Sequence, residues 1–163
     1  MAEQTPSERI LIQLILDKLD QLIASVGSLD DELANSALQV PGSNSPMQIL
    51  VHCCGMLRWW SSSVNLGLPR MRDRDAEFET RLTVDEGLEL ASQARKAFLS
   101  DAAATELQRP PKAMPGGGDD DHHWLATAEG VLLHVLEELS QHLGQLEITI
   151  DVLRGSSSFD ERS

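Results

Sequence analysis

The sequence contains no tyrosine, only three tryptophans and three phenylalanines, and no run in which β-branched or aromatic residues alternate with polar ones. Half-buried strands are built from such runs, so their absence argues against a sheet. Leucine and alanine, which favour helices, dominate the apolar residues instead. A chain of 163 residues is long enough to bury one core without disulfides. We therefore expect a single all-α domain.

Positive charge is also scarce, because 13 Lys and Arg residues stand against 26 Asp and Glu residues and give a net charge of −13. Nucleic acids and anionic membrane surfaces are bound through positive patches, so neither is an expected partner. No apolar run approaches the roughly 20 residues that span a bilayer. The N-terminus lacks the basic and apolar regions of a signal peptide. We expect a soluble, cytoplasmic protein.

Cysteine is rare as well, and the two that occur, Cys53 and Cys54, are adjacent. Adjacent cysteines are poor disulfide partners, and two thiols make no framework in a chain of this size. They do not form a Cys-x-x-Cys pair, so two small buried side chains are favoured over a redox role. This usage fits a reducing compartment.

Four segments have the apolar periodicity of helices. They run from about Ser7 to Val26, from Ser45 to before Gly67, from Thr83 to about Ala104, and from about Trp124 to Leu153, with Gly155 as the last stop. Capping boxes, Ser45 with Gln48 and Thr83 with Glu86, mark two of the starts. Residues 1–155 therefore predict one four-helix bundle, and residues 156–163 a disordered tail. The long second and third connections leave the topology open.

The loops that connect the predicted helices contain no strong candidate for a functional site. The charged stretch 70–81 is interpreted as mostly irregular chain, and its Arg/Asp run 70–75 as solvated surface. The Asp- and His-bearing loop 119–123 lies beside glycines, so we interpret it as a solvated, adventitious chelator rather than a site.

One stripe of the last helix carries ionisable groups between its apolar and solvent faces. Glu138 and His142 are four residues apart, so at about 100° per residue they project together from adjacent turns. His134 lies two turns before His142, roughly 12 Å along the axis, too far to share an ion with it. The pair of Glu138 and His142 either grips one metal ion or is an exposed pair that only stabilises the helix.

The second helix offers a further imidazole. His52 shares a face with core-type residues, so it is either a core histidine or a ligand. Together with Glu138 and His142 it would make three protein ligands, the number with which catalytic sites keep an open position. Facing helices of a bundle can assemble such a set. Imidazole and carboxylate suit zinc, our first expectation, or nickel, iron or manganese, better than calcium or magnesium.

Four other residues are candidates for the surroundings of that site. His134 and Gln145 would orient the ligands through hydrogen bonds, or are simply solvated. Trp59 and Trp60 would line the mouth of a pocket, or belong to the core.

Two of these segments resemble a known family. HVLEELSQHLGQLEITIDVLRG in the last helix and SPMQILVHCCGMLRWW in the second resemble the DinB-like superfamily, most closely the metal-binding domain of mycothiol-dependent maleylpyruvate isomerase. The resemblance implies a four-helix bundle whose divalent metal is held by His52, Glu138 and His142. Many DinB-like proteins have histidine in place of Glu138, whereas the isomerase branch has glutamate. The isomerase also has a C-terminal domain that contributes to thiol binding and that finds no counterpart in this sequence.

The function implied is a metal-dependent, thiol-using transferase or isomerase that acts on small electrophiles, with mycothiol as the thiol and a homodimer as the assembly. A metal suits this chemistry, because a coordinated thiol loses its proton and becomes a strong nucleophile near neutral pH. A metal-dependent hydrolase, a non-catalytic metal-binding module of a stress response, and a bundle without metal remain as alternatives.

Overall fold

The computed structural model describes residues 4–69, 72–116 and 121–160, with side chains as far as Gly155 in the last of these ranges. Its elements are α1 (Pro6–Gly27), α2 (Asp31–Ala34), α3 (Pro46–Arg58), a π-helix (Trp59–Val64), α4 (Arg74–Glu77), α5 (Val84–Ala104), a 3-10 helix (His123–Ala126) and α6 (Ala128–Asp160). The described residues include no strand, so the prediction of an all-α fold is confirmed. None of their helices is long and apolar enough to cross a membrane.

Capping boxes start three of the four long helices. The two that the sequence predicts are present, with Ser45 capping α3 and Thr83 capping α5. A third, made by Thr5 and Glu8, starts α1. In each box the side chains satisfy backbone N–H groups that have no partner in the first helical turn.

Polar contacts at the helix ends show that α1 and α6 run parallel. Near their starts, Gln108 donates hydrogen bonds to Glu8 and to Glu129. Near their ends, Arg154 donates to the Ser28 hydroxyl at 3.0 Å. Since both starts and both ends meet, the two helices point the same way.

The other two long helices run against this pair. Arg58 at the end of α3 forms an ion pair with the buried Asp101 at the end of α5, so these two helices are parallel. The side-chain amide of Gln4, just before α1, donates to the Ala102 carbonyl near the end of α5, which makes α5 antiparallel to α1. The result is an up–down–down–up bundle, and the crossover between α3 and α5 spans its length.

Leucines and other large apolar side chains from all four long helices fill the core. The most deeply buried include Ile15, Leu19, Leu22, Met47, Leu50, Leu57, Phe98, Leu132, Leu139 and Leu146. Each such side chain gains roughly 1.5–3 kcal/mol when it leaves water, so the core fixes how the helices face one another.

The connection between α3 and α5 is not the irregular, solvated chain that its composition predicts. Residues 74–77 form α4, which is capped by the Asp73 side chain. Glu77 is buried and Arg72 is paired with it, so the prediction of a solvated run at 70–75 is wrong at Arg72. Arg70 and Met71 lie outside the described residues. Composition marks charge but does not show that a charge is paired in the interior.

The ends of the long helices also differ from the prediction. At Trp59 the helix that begins as α3 widens into a π-helix, in which the Asn65 N–H donates to the Trp60 carbonyl at 3.0 Å. The last helix begins at Ala128, after the 3-10 turn that holds Trp124. It continues to Asp160, because Gly155 lacks the left-handed conformation of a C-terminal cap. The predicted disordered tail is thus helical up to Asp160, and residues 161–163 lie outside the described part.

Packing of α5 against α3 and α1 predicts the effect of one substitution. Phe98 is fully buried, whereas its neighbour Leu99 is 40% exposed. We expect Phe98→Ala to lower the free energy of unfolding by about 3–5 kcal/mol, since it leaves a cavity. Leu99→Ala should lower it by about 1 kcal/mol or less. Urea denaturation measures both values, and equal losses would contradict the packing described here.

Candidate metal centre

The centre lies where α3 and α6 face each other in opposite directions. The rings of His52 on α3 and His142 on α6 meet with centroids 4.8 Å apart and planes at 78°. One turn before His142, the Glu138 carboxylate lies 3.9 Å from the His142 Nε2 atom. Trp60, which follows His52 by eight residues and lies in the π-helix that continues α3, meets His134, which precedes His142 by eight residues. This is the order that antiparallel helices require. The three candidate ligands therefore lie together in the fold.

His52 is held by contacts from the crossover. The His52 side chain is only 5% exposed. Its Nδ1 atom lies 2.9 Å from the Glu77 Oε2 atom, and the Phe78 ring stacks on the imidazole at 4.7 Å. A carboxylate only accepts hydrogen bonds, so Nδ1 carries the proton of this bond. In the neutral ring, Nε2 on the opposite edge then keeps its lone pair.

His142 has the same arrangement, with a different partner. Its Nδ1 atom lies 3.0 Å from the Gln145 side-chain oxygen. With Nδ1 as the donor of this bond, Nε2 is again the atom with the lone pair, and it is also the atom that faces Glu138. Gln145 thus contacts the His142 ring, and its role in orienting a ligand stays a prediction.

Glu77 is fixed in turn by Arg72. The Arg72 Nε and Nη2 atoms donate to the two carboxylate oxygens of Glu77 at 2.8 and 2.9 Å, a bidentate pair. Burial on its own would raise the pKa of Glu77, but the hydrogen bonds from His52 and Arg72 and their charges hold that pKa below its usual value. Glu77 thus stays an acceptor for His52.

Sequence reasoning missed both Glu77 and Arg72. They belong to neither helix that carries the candidate ligands, and their spacing follows no helical pattern. The Asp73 cap of α4 was the only local signal of order there, and it does not show which way Glu77 points.

A cavity of about 450 Å³ adjoins two of the three candidate ligands, His52 and Glu138. It is lined by His52, Met56, Trp59, Trp60, Arg72, Arg74, Pro115, His122, Trp124, His134, Glu137 and Glu138. Trp59 and Trp60 therefore line a pocket, as one of their two interpretations proposed, although Trp60 also belongs to the core. The volume is within the range of about 300–1,000 Å³ that small-molecule sites occupy.

An aromatic stack forms one wall of this cavity. The Trp124 ring lies between His134, at 4.0 Å, and His122, at 5.1 Å, with all three planes nearly parallel. The His134 Nδ1 atom is buried without a hydrogen-bond partner in the described part of the chain. His134 thus lines the cavity, and in the described part of the chain no side-chain hydrogen bond joins it to the candidate ligands. In the loop read as a chelator, Asp119 and Asp120 lie outside the described residues.

The donor set fits a divalent metal ion. Two imidazoles with engaged Nδ1 atoms offer Nε2, and Glu138 offers a carboxylate, a set that suits zinc. Within the described ranges, no three His, Cys, Asp or Glu side chains already converge as metal ligands do. Donors bound to one zinc at about 2.0–2.1 Å are roughly 3.3 Å apart, against 3.9 Å between Glu138 and His142. A small rotation of the Glu138 side chain, which is 32% exposed, would close this gap.

Comparison with known proteins gives the family. No curated protein matches the chain. The family model of the mycothiol-S-transferases (MST) matches residues 10–156, a range that includes α3, most of α6 and the crossover between α3 and α5. The match thus covers all three candidate ligands as well as Arg72 and Glu77. The chain belongs to the mycothiol-S-transferase family, within the DinB-like proteins.

Proposed function

We propose that this protein is a metal-dependent thiol S-transferase that joins a low-molecular-weight thiol of the mycothiol type to small electrophiles. The family supports mycothiol-dependent transfer. The observation that supports a metal ion is the contact between the His52 and His142 rings, whose centroids are 4.8 Å apart. The Nδ1 atoms of both rings are hydrogen-bonded to other side chains. When bound, the ion would supply a Lewis acid that lowers the pKa of a thiol.

The chain's own residues would divide the work. His52, Glu138 and His142 would hold the ion, and three protein ligands leave a position for the thiol. Zinc is the proposed metal, because it accepts this mixed set of nitrogen and oxygen donors without a geometric preference. The tryptophans of the cavity would bind the apolar part of the electrophile and exclude water from it.

The thiol of the proposed reaction would come from outside the chain. Cys53 is fully buried and Cys54 is 2% exposed. Burial raises the pKa of Cys54 to about 12. Burial and the neighbouring Cys54, Glu138 and Glu77 raise the pKa of Cys53 well above its usual value. Neither thiol is therefore a ready thiolate, as expected of an enzyme whose thiol is a substrate.

Metal content is the first test. We expect purified wild-type protein to hold about one zinc per chain, and His52→Ala and His142→Ala to lose it, because two ligands hold an ion poorly. His123→Ala is the matched control, since His123 is exposed and does not line the cavity. Atomic emission measures the content and circular dichroism the fold. A wild-type protein that binds no added zinc, or folded variants that keep stoichiometric zinc, would contradict the proposal.

A spectroscopic titration tests the use of a thiol. In the cobalt-substituted protein, mycothiol is expected to shift the visible absorption bands and to add a near-ultraviolet band from thiolate to metal. The glycoside part of mycothiol without its cysteine is the control. No change with mycothiol or with any simpler thiol would sink the transferase and favour a hydrolase or a metal-binding module.

Alkylation tests whether the protein thiols take part. Because both are buried, iodoacetamide should label neither Cys53 nor Cys54 in the native protein and both in urea, as read by intact mass. Rapid labelling of either residue under native conditions would show a reactive protein thiol and would contradict an external nucleophile.

A further inference from the structure

We propose that Glu77 is a positioning residue, which fixes the His52 ring with Nδ1 protonated and Nε2 turned toward Glu138 and His142. Arg72 holds the Glu77 carboxylate in place, and the absence of a side chain at Gly55 leaves room for it. The consequence for metal affinity rests on the proposed function. The orientation of the ring does not, because every contact that sets it is made by protein atoms.

The first support is the geometry of the three side chains. Glu77 Oε2 accepts a hydrogen bond from His52 Nδ1 at 2.9 Å and another from Arg72 Nη2 at 2.9 Å. Glu77 Oε1 receives the bond from Arg72 Nε at 2.8 Å. The Glu77 side chain is 10% exposed and that of Arg72 is 16% exposed. The carboxylate is thus fixed on both oxygens, and an Arg fork permits only a narrow range of orientations.

The second support is independent and comes from the backbone of α3. A Cβ atom at Gly55 would lie 2.0 Å from the Glu77 Oε1 atom and 2.8 Å from its Cδ atom. Gly55 comes three residues after His52, so it lies on the same face of the helix. The carboxylate therefore rests directly on the helix at the one place where no side chain intervenes. Glycine inside a helix costs about 1 kcal/mol relative to alanine, and here it leaves room for the carboxylate.

These contacts favour the His52 tautomer that can bind a metal ion through Nε2. A carboxylate that accepts from the far nitrogen of a histidine sets its tautomer and orientation, and loss of such a partner weakens metal binding by about 10- to 100-fold. If the pair of Arg72 and Glu77 served only to attach the crossover to α3, its loss would lower stability and leave both the tautomer and the affinity unchanged.

Glu77→Gln separates these two roles. Arg72 donates to both oxygens of Glu77, so the NH2 group of Gln would meet an Arg72 donor in either orientation of the amide. The bidentate pair is therefore lost, and the neutral amide no longer holds the proton of His52 on Nδ1 as the carboxylate does. Gly55→Ala should act in the same way, because it displaces the Glu77 carboxylate. Glu77→Asp, which keeps the charge on a shorter side chain, should restore part of the effect.

The matched control for Gly55→Ala is Gly144→Ala. Gly144 lies in the middle of α6, two residues after His142, and a Cβ atom there would meet nothing within 4 Å. Both substitutions add one methyl group to a helix beside a candidate ligand, and only one of them displaces Glu77.

Two readouts decide the outcome. Long-range proton–nitrogen spectra of the metal-free proteins, recorded well above the ordinary imidazole pKa, report which nitrogen of His52 carries the proton. Competition with a chromophoric chelator gives the zinc affinity. We expect wild type and Gly144→Ala to have His52 protonated on Nδ1, and Glu77→Gln and Gly55→Ala to lose this tautomer and to bind zinc about 10- to 100-fold more weakly.

Failure of this inference and failure of the proposed function give different results. Folded Glu77→Gln and Gly55→Ala proteins that keep the wild-type tautomer and affinity would overturn the role of Glu77 and leave the metal site intact. If no protein of the set binds zinc while the tautomer changes as expected, the metal site falls and the role of Glu77 stands. Should Gly55→Ala fail to fold, the comparison of Glu77→Gln with Glu77→Asp still decides.

Discussion

The meeting of α3 and α6 at His52 and His142 is the contact on which the site depends. Antiparallel packing sets it, because a residue further along α3 lies opposite an earlier residue of α6, as Trp60 and His134 repeat at the other end of the contact. Buried leucines on both sides fix the register. A shift of one helical turn, about 5.4 Å, would move His52 away from His142. The site is therefore as rigid as the core that holds the two helices together.

Helix starts and faces that are marked by residues close together in the sequence could be predicted. Contacts that depend on how distant parts of the chain pack in the interior could not. The capping boxes at Ser45 and Thr83 gave the starts of α3 and α5, because the paired side chains are three residues apart in the sequence itself. Spacing placed Glu138 and His142 on one stripe of α6 for the same reason. Spacing alone left His52 as either a core residue or a ligand, since nothing local shows what its ring faces. Resemblance to a family supplied the rest of that argument.

Glu77, Arg72 and the π-helix had no such signal. The position of Glu77 follows from the path of a crossover that spans the bundle. In the sequence, nothing distinguishes Glu77 from the exposed carboxylates of the same stretch. Gly55 offered a hint that only the structure explains: a glycine inside a well-formed helix costs stability unless another group needs its space. The π-helix adds one residue to a turn without a marker in the sequence, at a position beside the cavity, where such segments often occur.

The two imidazoles are supported differently, and this has a consequence for the crossover. Gln145 contacts His142 from within the same helix, so this contact does not depend on the crossover. Glu77 supports His52 from α4, which is held to α3 chiefly by the contacts of Glu77 and Phe78 with His52 and of Gln48 with the Phe78 carbonyl. Because ligands and folded states stabilise each other reciprocally, a metal ion held by His52 would favour the packed crossover as much as the packed crossover would favour metal binding. The connection that composition alone marks as solvated chain would therefore be part of the proposed site.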